Sequence, residues 1–336
     1  MALIIPKKIR KGDSVGFISP SAGVGGLAPH RVENAKKTLE SLGYKVKIGK
    51  NAMKNSGYIS SFVEDRIDDI HSMFLDPEIK MIMCIIGGNN SNHLIKHLDY
   101  GLIRKNPKIF IGYSDITVLH FALHTQANLA TYYGPCAMTQ FGEFPKILDY
   151  TLDYFNRELS AENHQKKYEI QASELWTSEL LDWFKKTDLT RARKLEKNTG
   201  YEWLKKGTAK GKIAGGAILS INHLAGTKYW INPKGKVYFL DILKADELNE
   251  GAVDALLTDL DNMDFFNEIT GLVVGRPADY TSEETQRLKE LIIKYSGKKK
   301  YPILFNTNIG HTDPIITIRY GRDVVLDSRK NLFAFV

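Results

Sequence analysis

Four repeats of a short apolar run followed by a stretch of helical periodicity are the feature of this sequence that most constrains its fold. The apolar runs cover residues 14–18, 44–48, 80–86 and 108–112, and the predicted helices cover 29–42, 64–74, 92–98 and the stretch from 116 onwards. The third run, KMIMCII, is apolar almost throughout, which is typical of strands buried on both faces of a parallel sheet. Repeated strand–helix units therefore predict a right-handed, doubly wound parallel sheet.

The second half of the chain predicts a smaller, mixed α/β domain. Residues 161–206 are polar and hold three of the four tryptophans, so we interpret them as a linker or insertion. Predicted strands then follow at 237–242, 271–275, 303–305 and 315–319, with helices at 251–260 and 282–295. The predicted fold class is α/β, with an N-terminal doubly wound parallel-sheet domain over 1–160 and a smaller mixed α/β C-terminal domain over 207–336.

Composition argues against several classes of protein. No apolar run approaches the ~20 residues of a membrane helix, and the N-terminus is apolar and then basic, the reverse of a signal peptide. Two cysteines cannot form a disulfide framework. The net charge of +7 is confined to residues 185–212, whereas a nucleic-acid binder would show a wider basic face. We expect a cytoplasmic protein with neither a membrane nor a nucleic-acid polymer as partner. The basic segment is either a solvated linker or a patch that attracts an anionic group of the substrate.

Two loops at the ends of predicted strands carry residues suited to nucleophilic chemistry, because open α/β sheets bind ligands beyond the carboxyl ends of their strands. Gly87 and Gly88 allow close approach of the backbone to a ligand. Ser114 lies between a strand and a helix N-terminus, beside the N–H of Asp115. These groups predict either a nucleophile with an oxyanion hole or an ordinary N-cap and tight turn. The segment GYSDI resembles a G-x-S-x-G nucleophile elbow without its final glycine.

A serine nucleophile needs a base, and His311 is the candidate because it lies in a loop, residues 308–314, bounded by glycine and proline. Four other histidines fall in predicted helices: His93, His97, His120 and His124. They lack an accompanying H-E-x-x-H pattern, and we predict neither a metal site nor a cofactor. A carboxylate at a strand end would orient the base. Asp241 is the candidate, with Asp246, Glu247 and Glu250 as nearby alternatives.

Six ordered segments between residues 85 and 318 carry a resemblance to a known family, and the resemblance runs from about residue 6 to residue 327. They are IIGGNNSNHLIKHLDY, NPKIFIGYSDITVLHFAL, TYYGPCAMTQFGE, GGAILSINHLAGTKYW, YFLDIL and NIGHTDPIITI. Together they resemble the serine LD-carboxypeptidase family, and GGNNSN and ELWTSELLDW resemble its microcin C self-immunity branch. The resemblance implies a metal-free hydrolase with a Ser–His–Glu triad drawn from two domains. It assigns Ser114 as nucleophile, His311 as base, and the N–H groups of Gly88 and Asp115 as the oxyanion hole.

The triad acid departs from the family pattern, because Asp241 stands where the family has glutamate. Aspartate reaches about 1.5 Å less, one carbon–carbon bond, and a hydrogen bond tolerates only a few tenths of an ångström. The shorter acid requires a shifted backbone, a bridging water or a weak pair. We predict a working Ser114–His311–Asp241 triad, with a weakly active or non-catalytic homologue as the alternative.

The resemblance leaves two substrate classes open. The carboxypeptidase branch cuts an L,D amide in muropeptide tetrapeptides, whereas the immunity branch cuts the bond between an aspartyl residue and a modified adenylate. We predict the second, a small peptide or peptidyl-nucleotide substrate, with muropeptides as the alternative. Predicted substrate contacts are Gly87, Asn89, Trp176 and Trp183. The tryptophans would stack on a base or, alternatively, pack at the domain junction. The resemblance also implies a homodimer.

Overall fold

The computed structural model describes residues 3–245, 248–297 and 299–336. The chain divides into two compact units: the first contains residues 1–164, 179–194 and 315–319, and the second contains 165–178, 195–314 and 320–336. The predicted linker is therefore shared, because its residues 179–194 group with the first unit and most of the remainder with the second. The domain limits of 1–160 and 207–336 stay a prediction.

Strands and helices alternate through the described residues of both units. The strands are β1 (Ser14–Ile18), β2 (Lys45–Ile48), β3 (Ile79–Cys84), β4 (Ile109–Gly112), β5 (Tyr132–Tyr133), β6 (Tyr168–Glu169), β7 (Leu175–Trp176), β8 (Glu196–Lys197), β9 (Glu202–Lys205), β10 (Thr208–Ala217), β11 (Lys236–Asp241), β12 (Gly271–Gly275), β13 (Ile303–Thr307), β14 (Ile318–Arg319), β15 (Asp323–Asp327) and β16 (Leu332–Phe335). The α-helices are α1 (Val24–Leu27), α2 (Pro29–Ser41), α3 (Val63–Leu75), α4 (Tyr100–Lys105), α5 (Thr117–Gln126), α6 (Asp149–Leu159), α7 (Ile218–Asn222), α8 (Glu250–Asn262), α9 (Phe265–Glu268) and α10 (Ser282–Ser296). Short 3₁₀ turns cover Ser91–His93, Ser114–Ile116 and Thr187–Leu189, and Ala137–Phe141 forms a π-helix.

The first unit is built on a sheet in the order β14–β5–β4–β3–β1–β2. Strands β1 to β5 run parallel, and β14 is antiparallel to β5. This order confirms the predicted doubly wound parallel sheet. The strand order reverses between β1 and β3, so the loops after these two strands flank the crevice where open α/β sheets bind ligands.

Apolar strand side chains form the core of the first unit. Val15, Phe17, Met81, Met83 and Ile111 have no exposed surface, as expected for a sheet covered on both faces. Each fully buried side chain of this size stabilises the fold by about 1.5–3 kcal/mol. The continuous apolar runs of the sequence are therefore the strands that hold the loops of the site in place.

Two predicted elements of the sequence analysis were wrong. Residues 92–98 form no α-helix: a 3₁₀ turn at Ser91–His93 is followed by turns, because polar contacts from distant residues capture the start of this segment. The strand predicted over 315–319 covers only Ile318–Arg319, and its partner is β5 of the first unit rather than a strand of the second.

The second unit contains a mixed sheet in the order β6–β16–β15–β10–β11–β12–β13–β9, and β7 pairs separately with β8. Strands β10 to β13 run parallel, while β9, β15, β16 and β6 pair antiparallel. A Cβ atom on Gly215 of β10 would overlap the backbone of Phe239, which explains why glycine is needed at this position. The parallel arrangement brings the carboxyl ends of β11, β12 and β13 to one edge, where Asp241, Arg276 and the loop 308–314 lie.

Within the part of the chain that the structure describes, no helix combines the length and apolarity needed to cross a bilayer. The longest, α10, has 15 residues. Cys84 and Cys136 are both free and buried.

Candidate active site

Ser114 occupies a strained turn between β4 and α5. Its φ of 64° is in the left-handed region, which costs a non-glycine residue about 1–3 kcal/mol and is found mainly at functional sites. The Ser114 N–H donates to Tyr133 Oη at 3.3 Å, and Thr117 Oγ1 donates to the Ser114 carbonyl at 2.7 Å. A strained strand–turn–helix serine is the geometry of a nucleophile elbow.

The glycine loop after β3 lies directly against this turn. A Cβ atom on Gly87 would stand 2.9 Å from Ser114 Cβ and 3.2 Å from its Oγ. Gly88 has φ 151°, and a Cβ there would overlap the Ser21 hydroxyl. The structure thus brings Gly87 and Ser114 together, and both loop positions require glycine. Asn89 is exposed in the same loop, and its substrate contact stays a prediction.

The side chain of Asp115 links these two loops, a role that sequence reasoning missed because it considered only the Asp115 N–H. Asp115 is buried, with 3% of its surface exposed. It accepts hydrogen bonds from Ser21 Oγ at 2.6 Å, Asn90 N at 3.0 Å and Ser91 N at 2.8 Å. The only sequence signal for this link is the polar run Asn89–Asn92 after two glycines, which does not identify its partner.

Arg66 of α3 also holds this loop and was missed by sequence reasoning. Its Nη1 donates to the Pro20 carbonyl at 3.0 Å, to Asn90 Oδ1 at 3.1 Å and to the Asn90 carbonyl at 3.3 Å. Burial lowers the pKa of Arg66, and the negative charge of Asp115 opposes that shift. The loop therefore lies between a buried cation and a buried carboxylate.

In the second unit, His311 and Asp241 are in direct contact. His311 Nδ1 lies 3.0 Å from Asp241 Oδ1 and 2.9 Å from Oδ2, and the Asp241 side chain has no exposed surface. Burial by itself lowers the pKa of His311, but the charge of Asp241 and its hydrogen bond, with smaller contributions from Asp313 and Asp279, raise it above its ordinary value. A carboxylate on Nδ1 leaves Nε2 as the basic nitrogen of the neutral ring.

Gly310 explains how the short side chain of Asp241 reaches His311. It has φ 98°, and a Cβ atom at this position would overlap the Asp241 carboxylate. The backbone next to His311 therefore lies against the acid at a distance that only glycine permits. Of the outcomes expected for an aspartate here, the structure shows a direct pair with no bridging atom.

The loop 308–314 is anchored on both sides of His311. Asn308 Oδ1 accepts from Ser173 N at 3.1 Å, and Thr177 and Asp313 exchange backbone hydrogen bonds of 2.8 and 2.9 Å. Arg276, at the end of β12, donates to Thr312 Oγ1 at 3.4 Å. Sequence reasoning did not find these anchors, since an arginine and an asparagine in loops carry no distinctive spacing.

The two predicted aromatic contacts lie in different units. The ring of Trp176 faces the Arg276 guanidinium at 4.8 Å in the second unit, and the ring of Trp183 faces the Arg31 guanidinium at 4.8 Å in the first. Trp183 also packs against the apolar core of its unit. Packing therefore accounts for part of its surface, and the roles of both rings in substrate binding stay predictions.

The remaining candidate acids and histidines have other surroundings. Glu250 begins α8 and accepts from Arg287 Nε at 2.7 Å, while Asp246 and Glu247 lie outside the described residues. His120 is buried against the Gly112 carbonyl, and burial lowers its pKa to about 3. Among the residues that the structure describes, no group of three or more His, Cys, Asp or Glu side chains is placed to hold a metal ion.

A serine in a strained strand–turn–helix beside a glycine loop, in one unit, and a histidine paired with a buried carboxylate, in the other, are the kinds of groups that serine hydrolases use. The family model for the LD-carboxypeptidase N-terminal domain matches residues 15–134, and that for the LD-carboxypeptidase C-terminal domain matches residues 210–326. The chain belongs to the LD-carboxypeptidase family of serine peptidases and is a hydrolase.

Curated relatives match over nearly the whole chain. A putative carboxypeptidase of Bacillus subtilis is 33% identical over 94% of this chain and 93% of its own. A probable murein peptide carboxypeptidase of the same organism is 29% identical, covering 96% of this chain and 91% of its own. The microcin C7 self-immunity protein MccF of Escherichia coli is 28% identical, again over 96% and 91%.

Solved structures share the fold. An MccF-like protein from Bacillus anthracis is 35% identical and superposes with a TM-score of 0.88, covering 99% of both chains. MccF in complex with aspartyl sulfamoyl adenosine is 27% identical with a TM-score of 0.91, covering 99% of this chain and 98% of that one.

Proposed function

We propose that this chain is a serine amidase in which Ser114, His311 and Asp241 act as nucleophile, general base and orienting acid. The observation that carries the proposal is the direct contact of His311 Nδ1 with the buried Asp241 carboxylate. That contact fixes the tautomer and orientation a base needs. The strained turn at Ser114 supports the assignment of the nucleophile.

The proposed reaction transfers an acyl group to serine and then to water. His311 Nε2 takes the proton of the Ser114 hydroxyl as Oγ attacks the substrate carbonyl, and the N–H groups of Gly88 and Asp115 stabilise the oxyanion. The C–N bond breaks as His311 protonates the leaving nitrogen. His311 then activates a water that releases the acid product and frees Ser114. The proposal requires Ser114 Oγ and His311 Nε2 to come within about 3 Å of each other in the active enzyme.

For the substrate we favour an aminoacyl- or peptidyl-nucleotide. MccF, of the same fold over the whole chain, has been solved with aspartyl sulfamoyl adenosine. Trp176 and Trp183 supply aromatic faces for a base, since stacking on one base contributes about 1–3 kcal/mol. Gly87 and Asn89 are the proposed contacts next to the serine. The name of the murein peptide carboxypeptidase relative supports the alternative, an L,D-tetrapeptide.

The test compares the turnover of two substrates. The purified protein is incubated with aspartyl sulfamoyl adenosine or with a murein tetrapeptide that ends in D-alanine, and released aspartate or D-alanine is quantified by mass spectrometry. Ser114→Ala should abolish turnover while substrate binding stays within a few-fold. Ser72→Ala is the matched control, because its hydroxyl only donates to the Asp69 carbonyl within α3.

Each result decides one point. Aspartate release that disappears in Ser114→Ala supports the nucleotide proposal, and D-alanine release alone transfers the same chemistry to muropeptides. Turnover that persists in Ser114→Ala refutes the nucleophile. Ligand binding with neither product formed establishes the non-catalytic alternative.

The family resemblance also supports a cytoplasmic homodimer as part of this proposal. The two unpaired, buried cysteines are consistent with a reducing compartment. Sedimentation at several protein concentrations tests the dimer.

A further inference from the structure

The environment of the Asp115 carboxylate is more elaborate than a helix cap requires. One oxygen, Oδ2, receives hydrogen bonds from a hydroxyl and two backbone N–H groups, at 2.6, 3.0 and 2.8 Å. All three donors come from other loops, 24 to 94 residues away in sequence. Hydrogen bonds to an ionised carboxylate are about twice as strong as those between neutral groups. Asp115 therefore fixes the conformation of segments that lie outside the strands and α-helices.

The segment that Asp115 fixes is the one that touches the nucleophile. The donors Asn90 and Ser91 follow Gly88 after one intervening residue, Asn89, and Gly87 packs against Ser114. The Ser91 hydroxyl also donates to the Asp115 carbonyl at 2.8 Å, so the two loops are joined at both the backbone and the side chain.

The third donor, Ser21, connects the loop after β1. Its hydroxyl lies where a side chain on Gly88 would stand, and the neighbouring Ala22 N–H donates to the Gly87 carbonyl at 3.1 Å. With its φ of 151°, Gly88 holds a conformation that residues with a side chain rarely adopt. The loops after β1 and β3 are thus held to the Ser114 turn through one carboxylate at the point where the strand order reverses.

We propose that the Asp115 carboxylate is a positioning residue that holds the Gly87–Ser91 loop so that the Gly88 N–H can stabilise the oxyanion. The inference rests on the proposed function, since it concerns the oxyanion hole of that reaction. Asp115 then serves twice: its own N–H is one donor, and its side chain sets the place of the other. Donors that must meet a charge developing only in the transition state affect kcat rather than substrate binding.

The expected size follows from what the substitution changes. Removing one oxyanion donor outright lowers kcat about 10²–10³-fold. Asp115→Asn keeps the shape and one acceptor oxygen but removes the charge, so the loop is loosened rather than lost. We expect kcat to fall about 10–100-fold, with KM within threefold. Ser21→Ala removes one of the three donors and should give the same signature at about 3–10-fold.

The experiment measures kcat and KM of both variants with aspartyl sulfamoyl adenosine and, in parallel, with the murein tetrapeptide. Binding of the same compounds is measured in the Ser114→Ala background with and without Asp115→Asn. Asp69→Asn is the matched control, because Asp69 is equally buried and its carboxylate also accepts a backbone N–H, that of Asn51 at 3.0 Å. This control should lose stability but keep kcat within twofold.

A kcat loss in Asp115→Asn and Ser21→Ala with unchanged binding, absent from Asp69→Asn, supports the inference. A kcat within twofold of wild type, a loss confined to KM, or an equal kcat loss in Asp69→Asn overturns it while the proposed function stands. If wild-type protein turns over neither compound, the proposed function fails and this inference fails with it. Should Asp115→Asn not fold, the Ser21→Ala result decides alone.

Discussion

Replacing Asp241 by glutamate, the residue that the family pattern has at this position, should weaken this enzyme rather than improve it. Both oxygens of Asp241 already lie within hydrogen-bond distance of His311 Nδ1, at 3.0 and 2.9 Å. The acid is completely buried, and the backbone at Gly310 leaves no room even for a methyl group beside the carboxylate. The short side chain and the close loop are thus matched to each other.

The size of the effect follows from these distances. A hydrogen bond of this kind shortens at most to about 2.7 Å, which leaves only about 0.2–0.3 Å of slack. Glutamate extends the side chain by about 1.5 Å, several times that amount. Overpacking a filled core costs about 1–3 kcal/mol, and a triad whose acid no longer orients the imidazole loses up to about 10⁴-fold in kcat. We expect Asp241→Glu to lower kcat/KM by about 10–10³-fold.

The assay is kcat/KM against pH for wild type, Asp241→Glu and Asp241→Asn, with thermal melting as the control for folding. Because Asp241 opposes the effect of burial and raises the pKa of His311, wild-type kcat/KM should rise with pH through a pKa above 6.5 as the base loses its proton. In Asp241→Asn this rise in kcat/KM should occur at lower pH, since the lowering of the His311 pKa by burial is then opposed only by Asp313 and Asp279. A kcat/KM for Asp241→Glu at or above wild type, or an unmoved limb in Asp241→Asn, would refute the reasoning.

Two further predictions concern residues around the site. Gly310→Ala should abolish most activity and lower the free energy of unfolding measured in urea, because its Cβ atom would overlap Asp241. The control is Gly200→Ala, since Gly200 has a similar φ of 89° but no atom within 4 Å of the added Cβ. This control should lower the free energy of unfolding by only about 1–2 kcal/mol and leave kcat intact. Equal effects of the two would contradict this. Asp188→Ala should lower the free energy of unfolding by about 3 kcal/mol, since the buried Arg31 loses the carboxylate at 3.3 Å. Trypsin should then cut the segment 179–194 faster, whereas Asp153→Ala, which breaks only the surface pair with Arg157, should change neither unfolding nor cleavage.

The fold was predictable from the sequence where burial dictates the pattern. Strands β1, β3 and β4 are apolar because both faces of the sheet are covered, and a continuous apolar run in the sequence indicates such a strand directly. Strand β10 was missed because Gly211, Gly215 and Gly216 are typical of a loop. They are needed instead for close approach, most clearly at Gly215, which lies against Phe239. The pairing of strand β14 with Tyr132 and Tyr133 was missed because it joins residues that lie more than half the length of the chain apart.

At the candidate site, too, sequence reasoning identified some residues and missed others. Ser114, His311 and Asp241 were identified as candidates because residue types suited to a nucleophile, a base and an acid stand at strand ends and in a loop, and the family resemblance assigned roles to Ser114 and His311. The contact between His311 and Asp241, 70 residues apart, was inferred from chemistry and not from spacing. Asp115, Arg66 and Arg276 were missed as structural partners because their roles depend on loops that meet only in the folded chain. Sequence reasoning identifies the reacting groups more readily than the groups that hold them.

A glycine has the same role at one position in each of the two units. In the first unit Gly87 lets a loop lie against Ser114, and in the second Gly310 lets a loop lie against Asp241. In both places the loop follows a parallel strand and approaches a candidate side chain at the end of another strand of the same sheet, the adjacent strand in the first unit and the next but one in the second. A Cβ atom of any other residue would push that loop away by more than a hydrogen bond tolerates. The positions of the glycines, more than the length of the acid, therefore decide whether the reacting groups hold their geometry, and an aspartate serves where the backbone beside it can come closer.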